Sequence, residues 1–141
     1  MARYEYSLEP DVSSIPGLLE WIEATCSAER LSADFTFKVA LALEEAAMNV
    51  ITHAFGGMPA PHLVRVSLDI DAERLAAEIF DNGPAFDPSA QPVPDISLPL
   101  EDRDPGGLGI HLMRVMMDRV EYRRTDGGNH LRLERTRPTA D

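Results

Sequence analysis

The chain has 141 residues, 44% apolar and 26% charged, a length and balance that fit one domain (1–141) around one core. Thirteen Lys and Arg against 24 Asp and Glu leave a net charge of −11, which serves solubility, permits a basic protein partner and argues against a groove that grips nucleic-acid phosphates. No run approaches the ~20 apolar residues of a membrane span, and the one cysteine, Cys26, excludes a disulfide framework or a cysteine-rich metal site within the chain.

From the N-terminus, Arg3 to Leu8 alternates with Tyr4 and Tyr6 on one side, the pattern of a strand, and both tyrosines are expected to be exposed. Glu5, Glu9 and Asp11 stand where a signal peptide would carry basic residues and then an apolar run, so a cytoplasmic location is expected. Asp11 or Ser13 can cap a helix with Val12, Ile15, Leu18, Leu19 and Ile22 on its inner face, Pro16 being tolerable near the first turn. Cys26 falls among apolar positions of that helix and reads as a small buried hydrophobe. Ser32 opens a longer helix to about Ala54, with Phe35, Val39, Leu43, Ala46 and Val50 at helical spacing, and Gly56, Gly57, Pro59 and Pro61 break it. Leu63 to Ile70 and Leu75 to Phe80 read as strands joined by a hairpin at Asp71-Ala72-Glu73. Residues 84 to 106 are rich in proline, from Pro84 to Pro105, and poor in periodic apolar positions, as a lid or binding loop is. Gly106 to Asp118 reads as a glycine-opened helix. Val120 to Thr125 and His130 to Thr136 form a second hairpin around Asp126-Gly127-Gly128, and the last few residues are expected to fray. This order predicts an α+β two-layer sandwich, a mixed β-sheet with helices on one face, and neither a doubly wound parallel fold nor a second domain.

Three constellations carry possible chemistry. Glu45, Asn49 and His53 are spaced by four on the second helix and share a stripe about 80° wide. A carboxylate and an amide aimed into a cleft can hold Mg²⁺ and orient a hydroxyl for attack on a phosphate; a solvated helix face accounts for the same stripe. Asp81-Asn82-Gly83 ends a strand, where Asp81 can accept from an exocyclic amine such as that of adenine and Gly83 lets a flat ring approach the backbone, although an Asx turn has the same sequence. Gly106-Gly107-Leu108-Gly109 opens a helix, and bare amides at a helix start can cradle phosphate or serve as a lid hinge. The pattern is not that of a P-loop. Met113, Met116 and Met117 on this helix read as core or interface filler.

In this order and at these separations, the three motifs resemble the N, G1 and G2 boxes of the histidine-kinase-like ATPases (the GHKL superfamily, with its Bergerat-type fold): Glu44 to Ala54, Asp81 to Phe86 and Gly106 to Met113. The absence of a phosphoacceptor histidine domain and the Asn49-x-x-x-His53-Ala54 ending are similar to the anti-sigma-factor serine/threonine kinases. The resemblance implies Glu45 as the general base for a substrate serine hydroxyl and Asn49 as the Mg²⁺ ligand. It implies Asp81, with Gly83, as the adenine contact, and Gly106, Gly107, Leu108 and Gly109 as the phosphate turn. His53 and Asn129 join the nucleotide-binding set. ATP and Mg²⁺ are the implied cofactors. The implied partners are a sigma factor, an anti-anti-sigma factor (a STAS-domain protein) and a second copy of the chain, with no direct nucleic acid and no membrane. Two positions depart from the pattern. Pro105-Gly106 stands where members that phosphorylate their antagonist often carry Arg, with Arg103 slightly earlier, and Asn129-His130 follows Gly128 where Thr is common. These departures keep open a nucleotide-sensing, protein-binding module with little or no kinase activity; an ATPase fragment of a two-component kinase is a further alternative.

Overall fold

In the computed structural model, which describes residues 2–55, 61–88 and 107–138, five strands and three α-helices run in the order β1 (Ala2–Leu8), α1 (Ile15–Ala28), α2 (Ala33–Asn49), β2 (Val64–Ile70), β3 (Arg74–Asp81), α3 (Gly107–Met116), β4 (Arg119–Thr125) and β5 (Gly128–Thr136). The order and the α+β class agree with expectation. The strands form one sheet in the spatial order β1-β2-β3-β5-β4. Its four pairings are all antiparallel, so among the described residues the sheet is antiparallel throughout rather than mixed. The reason is that the second hairpin docks through β5, whose direction opposes β3, and leaves β4 on the outside.

Strand alternation assigns the faces. Val64, Val66, Leu68, Ile70, Leu75, Ala77, Ile79, Leu131 and Leu133 point into a single core with Leu18, Ile22, Phe35, Val39, Leu43, Ile110 and Met113 from the helices. Cys26 is fully buried there, as expected. The opposite face carries a cross-strand mesh of Glu78, Arg123, His130, Arg132 and Glu134. Tyr4 and Tyr6 are not exposed. They are half-buried toward α1, where Tyr6 stacks on Trp21 at 5.2 Å between ring centroids and the Tyr4 hydroxyl donates to Glu29. Alternation alone could not choose between the two faces of β1, because the other face holds Arg3, Glu5 and Ser7 and the tyrosines are themselves amphipathic.

Helix boundaries follow local chemistry. Asp11 caps a 3₁₀ turn, Val12–Ser14, by accepting from the Ser13 amide, and α1 starts only at Ile15 with Pro16 in its first turn. Val12 is therefore 55% exposed rather than inward. α1 ends in a Schellman turn, Leu31 N–H to the Cys26 carbonyl, that places Arg30 in the left-handed region at φ 61°. Ser32 caps α2 by accepting from the Phe35 amide at 3.1 Å. The helix expected to run to Ala54 is α-helical only to Asn49 and finishes in a π-turn, Val50–Ala54. At the other end of the molecule, Arg135 of β5 donates to the Met116 carbonyl and lies over the Phe35 ring, tying the C-terminus of α3 and the first turn of α2 to the sheet. Among the described residues, no helix is long and apolar enough to cross a membrane. The expected proline-rich lid and frayed terminus fall outside the described residues beyond Pro88 and Pro138.

Candidate functional site

A cleft lies between the C-terminal half of α2 and one end of the sheet. Ala46, Val50, Ile79 and Leu131 form its apolar walls, and Asn49, Asp81, Tyr122 and Asn129 bring polar atoms into it. The alanine-rich face of α2, with Ala42, Ala46 and Ala47 all buried, lets the helix lie close to the sheet. Asn49 interrupts that face at the last α-helical residue and so sits at the mouth.

The base of the cleft is one register row. Arg124 pairs with Asn129, and Asn129 with Asp81, so all three side chains leave the same face of neighbouring strands. Asp81 and Asn129 are each only 4% exposed, which makes them rare polar groups in the core. Asp81 Oδ1 accepts from the Gly83 amide and from Asn129 Nδ2, both at 2.9 Å. Burial pushes the Asp81 carboxyl above its ordinary value, while Asn129, the Gly83 amide, Arg124 and His130 oppose that rise. Asn129 is fully engaged: its Nδ2 also donates to the Pro84 carbonyl at 2.8 Å, and its Oδ1 accepts from the Tyr122 hydroxyl, Arg124 Nη1 and the Phe86 amide. Arg124 Nη1 also donates to the Gly83 carbonyl at 2.6 Å. Asn82 turns away and ties the strand ends, accepting from the Leu63 amide and donating to the Pro61 carbonyl.

Next to Asn49, α3 meets α2. A Cβ built on Gly109 would lie 3.0 Å from Glu45 Oε2 and 3.6 Å from Asn49 Nδ2, so the α3 start lies beside both and the glycine leaves the space between them open. Burial, and then the neighbouring Glu44, push the Glu45 carboxyl above the usual carboxylate range. Gly107 and Leu108 occupy the first positions of α3, where backbone amides lack intrahelical partners, and Gly106 lies outside the described residues. His53, carried by the π-turn, does not continue the stripe into the cleft but stacks on Phe86 at 5.6 Å between centroids.

Asn49, Asp81 and Asn129 thus line one cleft, Gly83 is bonded to Asp81, Glu45 and Gly109 lie next to Asn49, and His53 stacks on the lining residue Phe86. Sequence reasoning missed Tyr122 and Arg124. The signal was present as the period-two run Val120, Tyr122, Arg124, which continues the inward face of β4. It also missed Gly128, read only as a turn residue. Gly128 has φ 152° and sits so close behind Asp81 that a Cβ would fall 1.9 Å from the Asp81 carbonyl oxygen.

Comparison with known proteins follows the same outline. Residues 8–135 match the histidine kinase-like ATPase domain. The chain is 38% identical over 116 residues to the serine/threonine-protein kinase BtrW of Bordetella bronchiseptica, covering 82% of this chain and 80% of that protein. It is 32% identical over 96 residues to the serine-protein kinase RsbW of Halalkalibacterium halodurans, covering 63% and 56% respectively. The fold resembles the solved RsbU and RsbW domains of a Mycobacterium tuberculosis protein, with a TM-score of 0.69 over 98% of this chain and 34% of that one at 11% identity.

Proposed function

The chain belongs to the histidine kinase-like ATPase family and to its serine/threonine-kinase branch, and on that premise we propose that it is a partner-switching anti-sigma kinase. In this reading the cleft binds ATP, and the protein sequesters a sigma factor and phosphorylates a serine on an anti-anti-sigma STAS-domain antagonist. Asp81 accepts from the adenine amine, with Gly83 leaving room for the ring. The amides of Gly107, Leu108 and Gly109, together with Gly106, take the phosphates at the α3 start. Asn49 offers its amide oxygen to Mg²⁺, and Glu45 accepts the proton of the substrate hydroxyl. His53 and Asn129 complete the nucleotide-binding set from the rim and the base of the cleft. One protein oxygen beside a phosphate site fits Mg²⁺, which takes most of its ligands from phosphates and water; when bound it would neutralise charge on the transferring group. Phosphorylation adds charge to the antagonist's interface and releases it. The protein acts in the cytoplasm as a homodimer.

The observation that carries this reading is the closeness of Gly109 to both Glu45 and Asn49, because it sets a helix start beside a carboxylate of raised basicity and an amide able to offer an oxygen to a metal. Calorimetry with ATP and Mg²⁺ tests the binding half: wild type binds, and Asp81→Asn and Asn49→Ala each weaken binding by about tenfold or more. No heat at millimolar ATP would sink it. Transfer of labelled phosphate to the cognate STAS partner tests the chemistry, and full transfer by Glu45→Ala would sink the assigned base. A second reading, nucleotide sensing without transfer, is favoured by Pro105 in the place where kinases of this group often carry Arg; robust transfer by wild type eliminates it.

A further inference from the structure

Resting on the reading of Asp81 as the base contact, we infer that Tyr122 and Arg124 are positioning residues that set the cleft's preference for a 6-amino over a 6-oxo purine, by fixing the Asn129 amide and with it Asp81 as an acceptor. The argument starts from what Asp81 has left to offer. Its Oδ1 is taken by the Gly83 amide and Asn129 Nδ2, and no described residue donates to Oδ2. An ionised carboxylate is acceptor-only, so the free oxygen can accept from one N–H of a 6-amino group and repels the carbonyl oxygen of a 6-oxo purine.

That discrimination holds only while Asp81 stays ionised and keeps its orientation, and the Asn129 amide governs both. If the amide turned over, Oδ1 would face the carboxylate, which would then rotate away or take up a proton and donate it to a 6-oxo group. Three donors from two segments oppose the turnover: the Tyr122 hydroxyl and Arg124 Nη1 from β4, and the Phe86 amide from the loop after β3. Only the first two are side chains, so only they can be removed by substitution. Arg124 acts a second time through the Gly83 carbonyl, which pins the turn whose amide holds Asp81 Oδ1. Burial alone pushes the Asp81 carboxyl toward the protonated form, and Asn129, the Gly83 amide and the Arg124 charge are among the groups that oppose it.

The test is calorimetry of the whole chain with ATP and with inosine triphosphate, both with Mg²⁺, on wild type, Tyr122→Phe, Arg124→Met and the double variant. The two nucleotides differ at the 6-position and in the proton that the 6-oxo base carries on N1, so the change in their affinity ratio from wild type to variant, rather than the ratio itself, reads what the brace does to the contact with Asp81. Wild type favours ATP by on the order of a hundredfold or more, as sites built around a buried hydrogen bond do. Tyr122→Phe lowers the ratio a few-fold and the double variant about tenfold or more, chiefly by weakening ATP. Equal weakening of both nucleotides would overturn the inference and leave the brace a merely structural one, as would an unchanged ratio. A wild type that binds neither nucleotide would overturn the ATP reading and this inference together, so the two failures are distinct. If Arg124→Met does not fold, by its thermal melt, Tyr122→Phe decides alone, because it removes one oxygen and no volume.

Discussion

Glu45 is the residue on which stability and chemistry pull in opposite directions. Its carboxyl is raised first by burial and then by Glu44, so the folded state holds the carboxylate less comfortably than the unfolded chain does. A carboxyl raised on folding contributes stability that is present below its unfolded pKa and lost as pH rises through its folded one. Glu45→Gln is therefore expected to melt slightly higher than wild type at pH 7, by about 0.5 kcal/mol or less because the side chain is partly solvated, and the difference should vanish in acid. The same substitution removes the proposed base and should lower phosphotransfer by about a hundredfold or more. For wild type, the acid limb of the transfer rate should lie above the ordinary carboxylate range near ~4.3. A Gln variant that melts lower at pH 7 would show that the carboxylate is held by contacts stronger than its desolvation.

Among the elements, α1 carries its cost at one end. Its Schellman turn requires the left-handed conformation at Arg30, where a side chain crowds its own carbonyl. Arg30→Gly is expected to raise the unfolding free energy by about 0.5–1 kcal/mol, net of the extra freedom glycine gives the unfolded chain, as read from denaturant midpoints at constant m-value. An unchanged or lower midpoint would mean that the Arg30 side chain supports the turn more than its backbone strains it. How legible each element was depends on how local its cause is. The Ser32 cap, the stripe at Glu45 and Asn49 and the strand end at Asp81 each declare themselves within a few residues. The π-turn after Asn49 does not, since Val50 to Ala54 still reads as helix, and its effect is to turn His53 onto Phe86 instead of into the cleft. β4 was the least legible. Arg119-Val120-Glu121-Tyr122-Arg123-Arg124-Thr125 resembles a solvated hairpin arm, and only its register with β5 shows that Arg124 shares a row with Asp81.

For the whole molecule, strand direction was the feature that local pattern could not supply. Nothing within β4 or β5 states which of them docks against β3, so an antiparallel sheet and a mixed one are equally compatible with the alternation. The seam that settles it is β3 with β5, and Gly128 is its tightest point. Gly128→Ala is expected to destabilise the fold by about 2–4 kcal/mol, because it sets a methyl group against the Asp81 carbonyl at a backbone angle that side chains avoid. A thermal melt within a degree of wild type would mean that the two strands can part at this end without cost to the core.

The same seam governs when the cleft comes into being. On the proposed reading, its phosphate end needs α2 and α3, but its base end needs Asp81 to find Asn129, forty-eight residues later in the chain. Pairing across such a separation is slow, because the loop must close before any contact rewards it. A nascent chain that has emerged through α2 and β3 displays Glu45, Asn49 and Asp81 and still has no place for a purine. The capacity to hold nucleotide therefore arrives with the last strand, and occupancy of the cleft then acts as a seal on a finished molecule, drawing it by mass action away from its half-made precursors.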